Sequence, residues 1–317
     1  MSQAMSDEQA FPAIETIDRR RFILSASAFG ALCAGALRAA DAAPAFNLRL
    51  EQLTLRVGAT NPFGALHFSD THLTSATAAE LAAAGAEDRE RHEKRSKAMP
   101  KNAAAFAASL AYAKGKGLLP IHTGDLVDYL SDGNIELARR SLAGTKTLIT
   151  PGNHETTGFP ASRRPKDAAS AAETARRIEA AYGERFLVSS RSVGGVRFVG
   201  FDNGGLSKWR IDEQLSELER EISKEGGPVV LLCHFPPFEQ TLLEHIRKRE
   251  KNGRQKPVRA YMMMDERLNG IIRSHPSVKA VLCGHLHFSW RGMLNDSVHL
   301  VVAPANLNGS ATEITFC

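Results

Sequence analysis

From about Phe46 onward, short apolar runs rich in β-branched residues alternate with longer helical stretches, and this alternation limits the fold class most. The strand-like runs lie at residues 53–57, 65–69, 118–122, 147–150, 196–201, 229–233, 278–283 and 299–302. Each is bounded by Gly, Pro, Asn or Asp, the residues that end strands. The clearest helix is expected over residues 207–224, where Ile211, Leu215, Leu218 and Ile222 form one apolar stripe. Two Ala-rich helices are expected at roughly 76–98 and 101–114, separated by Met99-Pro100. Alternating strands and helices build α/β layers, and such sheets place their sites at strand ends.

The 317 residues suffice for one large or two ordinary domains. At 43% hydrophobic and 24% charged, the composition is that of a globular protein and excludes a disordered chain. No apolar run reaches the ~18 residues of a membrane span. Lys and Arg total 40 against 35 Asp and Glu, a surplus too small to imply nucleic-acid binding. Four cysteines with no C-x-x-C pair exclude a disulfide scaffold and a zinc knuckle. Cys233 and Cys283 each end an apolar run and read as small core residues. At the N-terminus, Arg19-Arg20-Arg21 precede an apolar stretch over residues 22–37, followed by Ala40-Asp41-Ala42. This segment resembles a twin-arginine (Tat) signal peptide over residues 1–42, cleaved after Ala42, which leaves 43–317 as the folded domain. The Tat translocase would then be a partner during export to the periplasm or beyond.

Five short motifs at the strand ends carry the chemistry. They are Asp70-Thr71-His72, Gly124-Asp125-Leu126-Val127-Asp128, Gly152-Asn153-His154-Glu155, His234 and Gly284-His285-Leu286-His287. Asp, His and Asn offer O and N donors suited to Mn, Fe or Zn rather than to soft metals. In D-x-H and G-H-x-H, alternate positions can direct two ligands to one side, and glycine lets the backbone turn close to a metal. Each ligand-bearing run follows an apolar strand, so a rigid sheet would hold it. His67, His92, His122, His245, His275 and His299 read as ordinary polar residues, with His92 on a solvated helix face within Arg89–Lys97. Met262-Met263-Met264 reads as core or cap packing.

These five motifs in this order, from Asp70 to His287, resemble the calcineurin-like metallophosphoesterase superfamily. Weaker matches are Tyr182-Gly183-Glu184-Arg185-Phe186 and the helix near Trp209. The resemblance implies a four-layer α/β/β/α sandwich and a dinuclear metal centre. It implies one metal on Asp70, His72, Asp125 and His287, and a second on Asn153, His234 and His285, with Asp125 bridging. The nucleophile would be a metal-bridging hydroxide. His154 would be the general acid or would stabilise the leaving oxygen, and Asp128 would orient it.

Departures from the family's branches narrow the choice. Serine/threonine protein phosphatases grip phosphate with an Arg-Gly after G-D-x-V-D and an Arg before G-N-H-E, where this chain has Tyr129-Leu130 and Pro151. Purple acid phosphatases need a tyrosine ligand where Asp128 stands and lack the histidine at His72. What remains resembles the bacterial branch that includes class III cyclic nucleotide phosphodiesterases. The expected activity is therefore hydrolysis of a small-molecule phosphodiester, with phosphomonoesters as the same-chemistry alternative. A silent binding protein on this fold would typically have lost ligands, and none is lost here. A nuclease has only the basic segment Arg247–Arg259 in its favour, and that segment could equally overhang the site or be a solvated loop.

Overall fold

The computed structural model describes residues 46–160, 164–205, 207–250 and 256–317, so the expected signal segment lies outside the described residues. One sheet runs in the order β1 (Arg49–Leu55), β11 (Ser310–Phe316), β2 (Phe63–Phe68), β3 (Leu119–Thr123) and β4 (Leu148–Thr150). The other runs β5 (Val188–Val193), β6 (Val196–Phe201), β7 (Val229–Leu232), β8 (Val278–Cys283), β10 (His299–Val302) and β9 (Trp290–Met293). Strands β2, β3 and β4 are parallel to one another, as are β6, β7, β8 and β10. Strand β11 enters the first sheet parallel to β1 and antiparallel to β2, with Thr312 opposite His67.

The period-2 alternation of strand side chains makes the layers. On β7, Val229 and Leu231 face helices, whereas Val230 and Leu232 face the other sheet. Between the sheets, Phe63 stacks on Phe316 at 5.1 Å, and Phe198 meets both rings edge-on at 6.1 and 5.4 Å. Three helices precede β3, α1 (Ala78–Ala83), α2 (Ala86–Ala98) and α3 (Asn102–Lys116), and α4 (Asp132–Leu142) follows it. Phe106 and Ala113 of α3 and Ala138 and Leu142 of α4 bury the first sheet's outer face. After α5 (Ala168–Tyr182), the second sheet is covered by α6 (Ile211–Ile222), α7 (Gln240–Arg249) and α8 (Glu266–Ser274). Their Leu215, Leu218, Ile222, Leu242, Ile246, Leu268 and Ile272 close the second outer core. The result is the expected α/β/β/α sandwich.

Local departures from expectation have physical reasons. The helix expected over 76–98 is two helices, because the chain breaks at Ala84-Gly85 to bury Ala84 against Tyr129 and Phe159. Glycine's low helix propensity makes that break inexpensive. The helix expected from residue 207 starts at Ile211, after a 3₁₀ turn at Ser207–Trp209. Cys233 and Cys283 are buried free thiols in the helix-facing core of the second sheet. Met262 and Met263 pack into that same core, whereas Met264 is exposed.

Candidate metal centre

Asp70, Asp125, His234 and His285 each stand two residues past the end of β2, β3, β7 and β8, and Asn153 stands three past β4. Because these strands run parallel within each sheet, their C-terminal ends deliver the side chains to one edge. The backbone there is unusual. Asp70, His72, Asp125, His285 and His287 have φ of 54, 52, 54, 70 and 59°, and among the described residues no other non-glycine residue has positive φ. The left-handed region costs an L-residue roughly 1–2 kcal/mol, so five such residues at one place mark a functional constraint. Glycines keep the space clear: a Cβ on Gly152 would collide with the Asp125 carboxylate, and one on Gly284 with Ser69 and Asp70.

The side chains form overlapping clusters: Asp70, His72 and His287; Asp125, His234 and His285; and His72, Asp125 and His154. In the first, the Nε2 atoms of His72 and His287 are 3.2 Å apart and lie 3.9 and 3.2 Å from Asp70 Oδ1. In the second, His234 Nε2 is 3.2 Å from Asp125 Oδ2, and His72 Nε2 reaches the same oxygen at 3.8 Å. Backbone carbonyls set the tautomers. His234 Nδ1 donates to Thr123 O at 2.8 Å, which leaves Nε2 for the cluster. His285 Nε2 donates to Ala260 O at 2.9 Å, which leaves Nδ1 for it.

The residues fit a metal on an observation independent of any family. Asn153 Oδ1 is buried without a hydrogen-bond partner, and Asp70 Oδ1 and His234 Nε2 are buried with only a neighbouring site residue at 3.2 Å and no well-directed bond. Buried polar atoms are nearly always paired, and these three are hard or borderline donors gathered at one edge. Charge points the same way. Burial opposes ionisation of Asp125, but His234, His154 and His72 around it hold its carboxyl well below the usual range. Burial likewise disfavours the His234 imidazolium, yet Asp125 and Asp70 outweigh it and push the pKa up to about 10. Two buried carboxylates therefore demand positive charge, and a cation could take the place of the proton on Nε2.

His154 sits on the solvent side, its side chain 31% exposed, with Nε2 3.9 Å from Asp125 Oδ2. Its Nδ1 donates to the backbone carbonyl of Asp128 at 2.8 Å, and the Asp128 carboxylate lies 3.3 Å away. Burial again opposes the charge, but Asp125 and the Asp128 contacts raise the pKa to about 9. The carboxylate of Asp128 is not reserved for His154. It is held by a bidentate Arg95, through Nε at 2.7 Å and a second, shorter bond, and it also approaches His72 Nδ1 at 3.3 Å.

Arg95 corrects the expectation for the run Arg89–Lys97. That face of α2 is not simply solvated: His92 Nδ1 bonds the Tyr129 hydroxyl, and Arg91 lies over the Tyr129 and Phe159 rings. His67 and His122, expected as ordinary polar residues, are buried and bonded to Thr123 and Thr71 at 3.0 Å. Two further residues organise the site. The buried Glu155 accepts from the backbone N–H groups of Gly152 and Leu126 at 2.7 and 2.8 Å and from the Tyr182 hydroxyl at 2.8 Å. Asn203 Oδ1 accepts from the N–H groups of His234 and Phe235 at 3.0 and 2.9 Å.

Arg95 acts on the site through Asp128. Arg95→Gln should lower kcat about tenfold with KM and metal content little changed, within the ~10–100-fold range for outer partners of a metal site. Steady-state kinetics with elemental analysis would check this, and an unchanged kcat would contradict it.

A family model described as calcineurin-like phosphoesterase matches residues 65–289. No curated protein sequence matches the chain. Among solved structures, a dimetal phosphatase from Danio rerio is 13% identical, with 78% of this chain and 88% of that chain covered and a TM-score of 0.45. Phosphopantetheinyl hydrolase from Mycobacterium tuberculosis is 13% identical, with 81% and 91% covered and a TM-score of 0.44. A 5'-nucleotidase from Candida albicans is 12% identical, with 83% of this chain covered and a TM-score of 0.43; this chain spans 48% of that one.

Proposed function

Because the chain belongs to the calcineurin-like phosphoesterase family and is a metal-dependent phosphoesterase, we propose that it hydrolyses phosphodiesters at a two-metal centre after export. The observation that carries this reading is Asp125, whose carboxylate faces the imidazoles of both ligand clusters. Asp70, His72, Asp125 and His287 would hold one ion, and Asn153, His234, His285 and the shared Asp125 the other. The N and O donors suit Mn, Fe or Zn. When bound, such a pair supplies Lewis-acid polarisation of a phosphoryl oxygen and activates water at neutral pH.

The protein's own residues supply the rest. His154 lies at the partly exposed side of the site, where a protonated imidazole can donate to the departing alkoxide. The backbone carbonyl of Asp128 holds its Nδ1, and Nε2 lies 3.9 Å from Asp125 Oδ2, beside the ligand cluster. A singly charged diester needs less added positive charge than a doubly charged monoester. In keeping with that, Tyr129, Leu130 and Pro151 are buried and offer no cation where protein phosphatases carry arginine.

The direct test is a panel of phosphodiesters and phosphomonoesters assayed with Mn, Fe or Zn after chelation. Turnover of diesters with about two ions bound supports the proposal, whereas metal-dependent turnover of monoesters alone would move the substrate class to monoesters. Export is tested separately. Changing Arg19, Arg20 and Arg21 to Lys should leave the precursor in the cytoplasm, because the Tat pathway reads the paired arginines. Fractionation showing normal periplasmic accumulation of that variant would end the Tat proposal.

A further inference from the structure

Beside the metal ligands, on the side of His285 away from Asp125, a hollow of about 300 Å³ opens between α7 and the loop after β8. One imidazole ring separates it from the ligand cluster: His285 turns Nε2 to Ala260 O and Nδ1 to the cluster, and its edge lines the hollow. Phe288 forms one wall, with the Arg249 guanidinium stacked on its ring at 4.6 Å. Glu250, Lys256 and Tyr261 make the polar rim.

The charge balance of this hollow is uneven. Glu250 is the carboxylate among its lining residues, and it is consumed: it accepts from Arg247 at 2.9 and 3.1 Å, from the Lys256 N–H at 3.2 Å and from the Tyr261 hydroxyl. Arg249 and Lys256 have no carboxylate partner among the described residues. Two cations therefore face a space whose acid is already neutralised by a third. A guanidinium resting on a ring is pre-organised, with its N–H edge left to bind carboxylate or phosphate.

We propose that this hollow seats a non-reacting arm of the phosphoester and selects an arm that itself carries an anionic group, a carboxylate or a second phosphate. The inference rests on the phosphoesterase reading and adds the class of substrate. Arg249 binds the arm's anion from the Phe288 platform, and Lys256 adds positive potential at the rim. His285 belongs to both the ligand cluster and the wall of the hollow, so the two are adjacent.

The experiment uses 4-nitrophenyl phosphodiesters whose second arm is ethyl, 2-carboxyethyl or 2-phosphoethyl, so that the leaving group is constant. The native enzyme should prefer the anionic arms by about tenfold or more in kcat/KM, chiefly through KM, which is the scale of one charge-assisted bond. Arg249→Ala should lower that preference ratio about tenfold, and Arg249→Lys should restore part of it. A native enzyme without preference, or an Arg249→Ala variant in which both arms fall together, overturns the proposal. If no diester is turned over, the diester reading fails, but the hollow is still read by inhibition of 4-nitrophenyl phosphate hydrolysis. There 2-carboxyethyl phosphate should inhibit more strongly than ethyl phosphate in the native enzyme and no more strongly in Arg249→Ala. Equal inhibition in the native enzyme overturns the proposal on that route as well. Comparing the carboxylate and phosphate arms identifies which anion the site prefers.

Discussion

Asp125→Asn should reduce kcat/KM by at least about a thousandfold and remove bound metal, whereas Asn153→Ala should cost less of both. The size follows from the several kcal/mol that a correctly held Lewis acid contributes, at about 1.4 kcal/mol per factor of ten. The asymmetry follows from geometry. Asp125 Oδ2 meets His234 at 3.2 Å and His72 at 3.8 Å, on either side of it, and Oδ1 accepts the N–H of His154 at 2.9 Å. Asparagine keeps the shape and loses the charge on which both clusters depend. Asn153 offers one neutral, buried oxygen and is assigned to one ion only. Elemental analysis of both variants beside the native protein decides the matter: two ions retained by Asp125→Asn would remove the bridging assignment.

His154→Ala should keep its metals and lose activity in proportion to how poor the leaving group is. A general acid contributes ~10²–10⁴-fold where the departing oxygen needs a proton, and little for a nitrophenolate that leaves readily. The side chain is placed for this: its Nδ1 is occupied by the Asp128 carbonyl, its Nε2 lies beside the ligand cluster, and the ring is partly exposed. A plot of log kcat against leaving-group pKa should therefore steepen in the variant. Parallel plots, with metal content intact, would leave His154 as a positioning residue. Asp128→Asn should steepen the plot less, because the shortest bond to the ring comes from the Asp128 backbone, which the substitution leaves in place.

How much of this was legible in the sequence depended on whether the signal was local. Asp70, Asp125, His234 and His285 stand just past strongly apolar strands, so the alternation that reveals those strands also puts the ligands at one edge. Strands β5, β9 and β11 were not anticipated. Strand β5 reads Val-Ser-Ser-Arg-Ser-Val and exposes its middle, so its pairing with β6 carries little apolar pattern. Strand β11 alternates Ala311, Ile314 and Phe316 with Thr and Glu too irregularly for a period to stand out. Glu155 was visible inside a quoted motif, but its role needs the backbone N–H groups that the fold brings to it. Arg95 gave no signal at all. It lies on a helix with no buried residues, where a charged side chain reads as solvated until Asp128 is found beside it. The left-handed backbone at five ligand positions is equally invisible, since aspartate and histidine do not announce positive φ as glycine does.

The position of β11 has a consequence for how the molecule is made. The strand that lies between β1 and β2, and so completes the sheet bearing Asp70, is the one that is synthesised last of the three. Pairing Thr312 with His67 and Leu53 with Ile314 joins segments near opposite ends of the described chain. Contacts of such sequence separation must meet a large loop-closure cost before they stabilise anything, and folding slows accordingly. During synthesis β1 and β2 emerge with a gap between them that no earlier strand fills. The sheet that carries Asp70 is therefore complete only after translation has passed β11, later than the last ligand motif at His287.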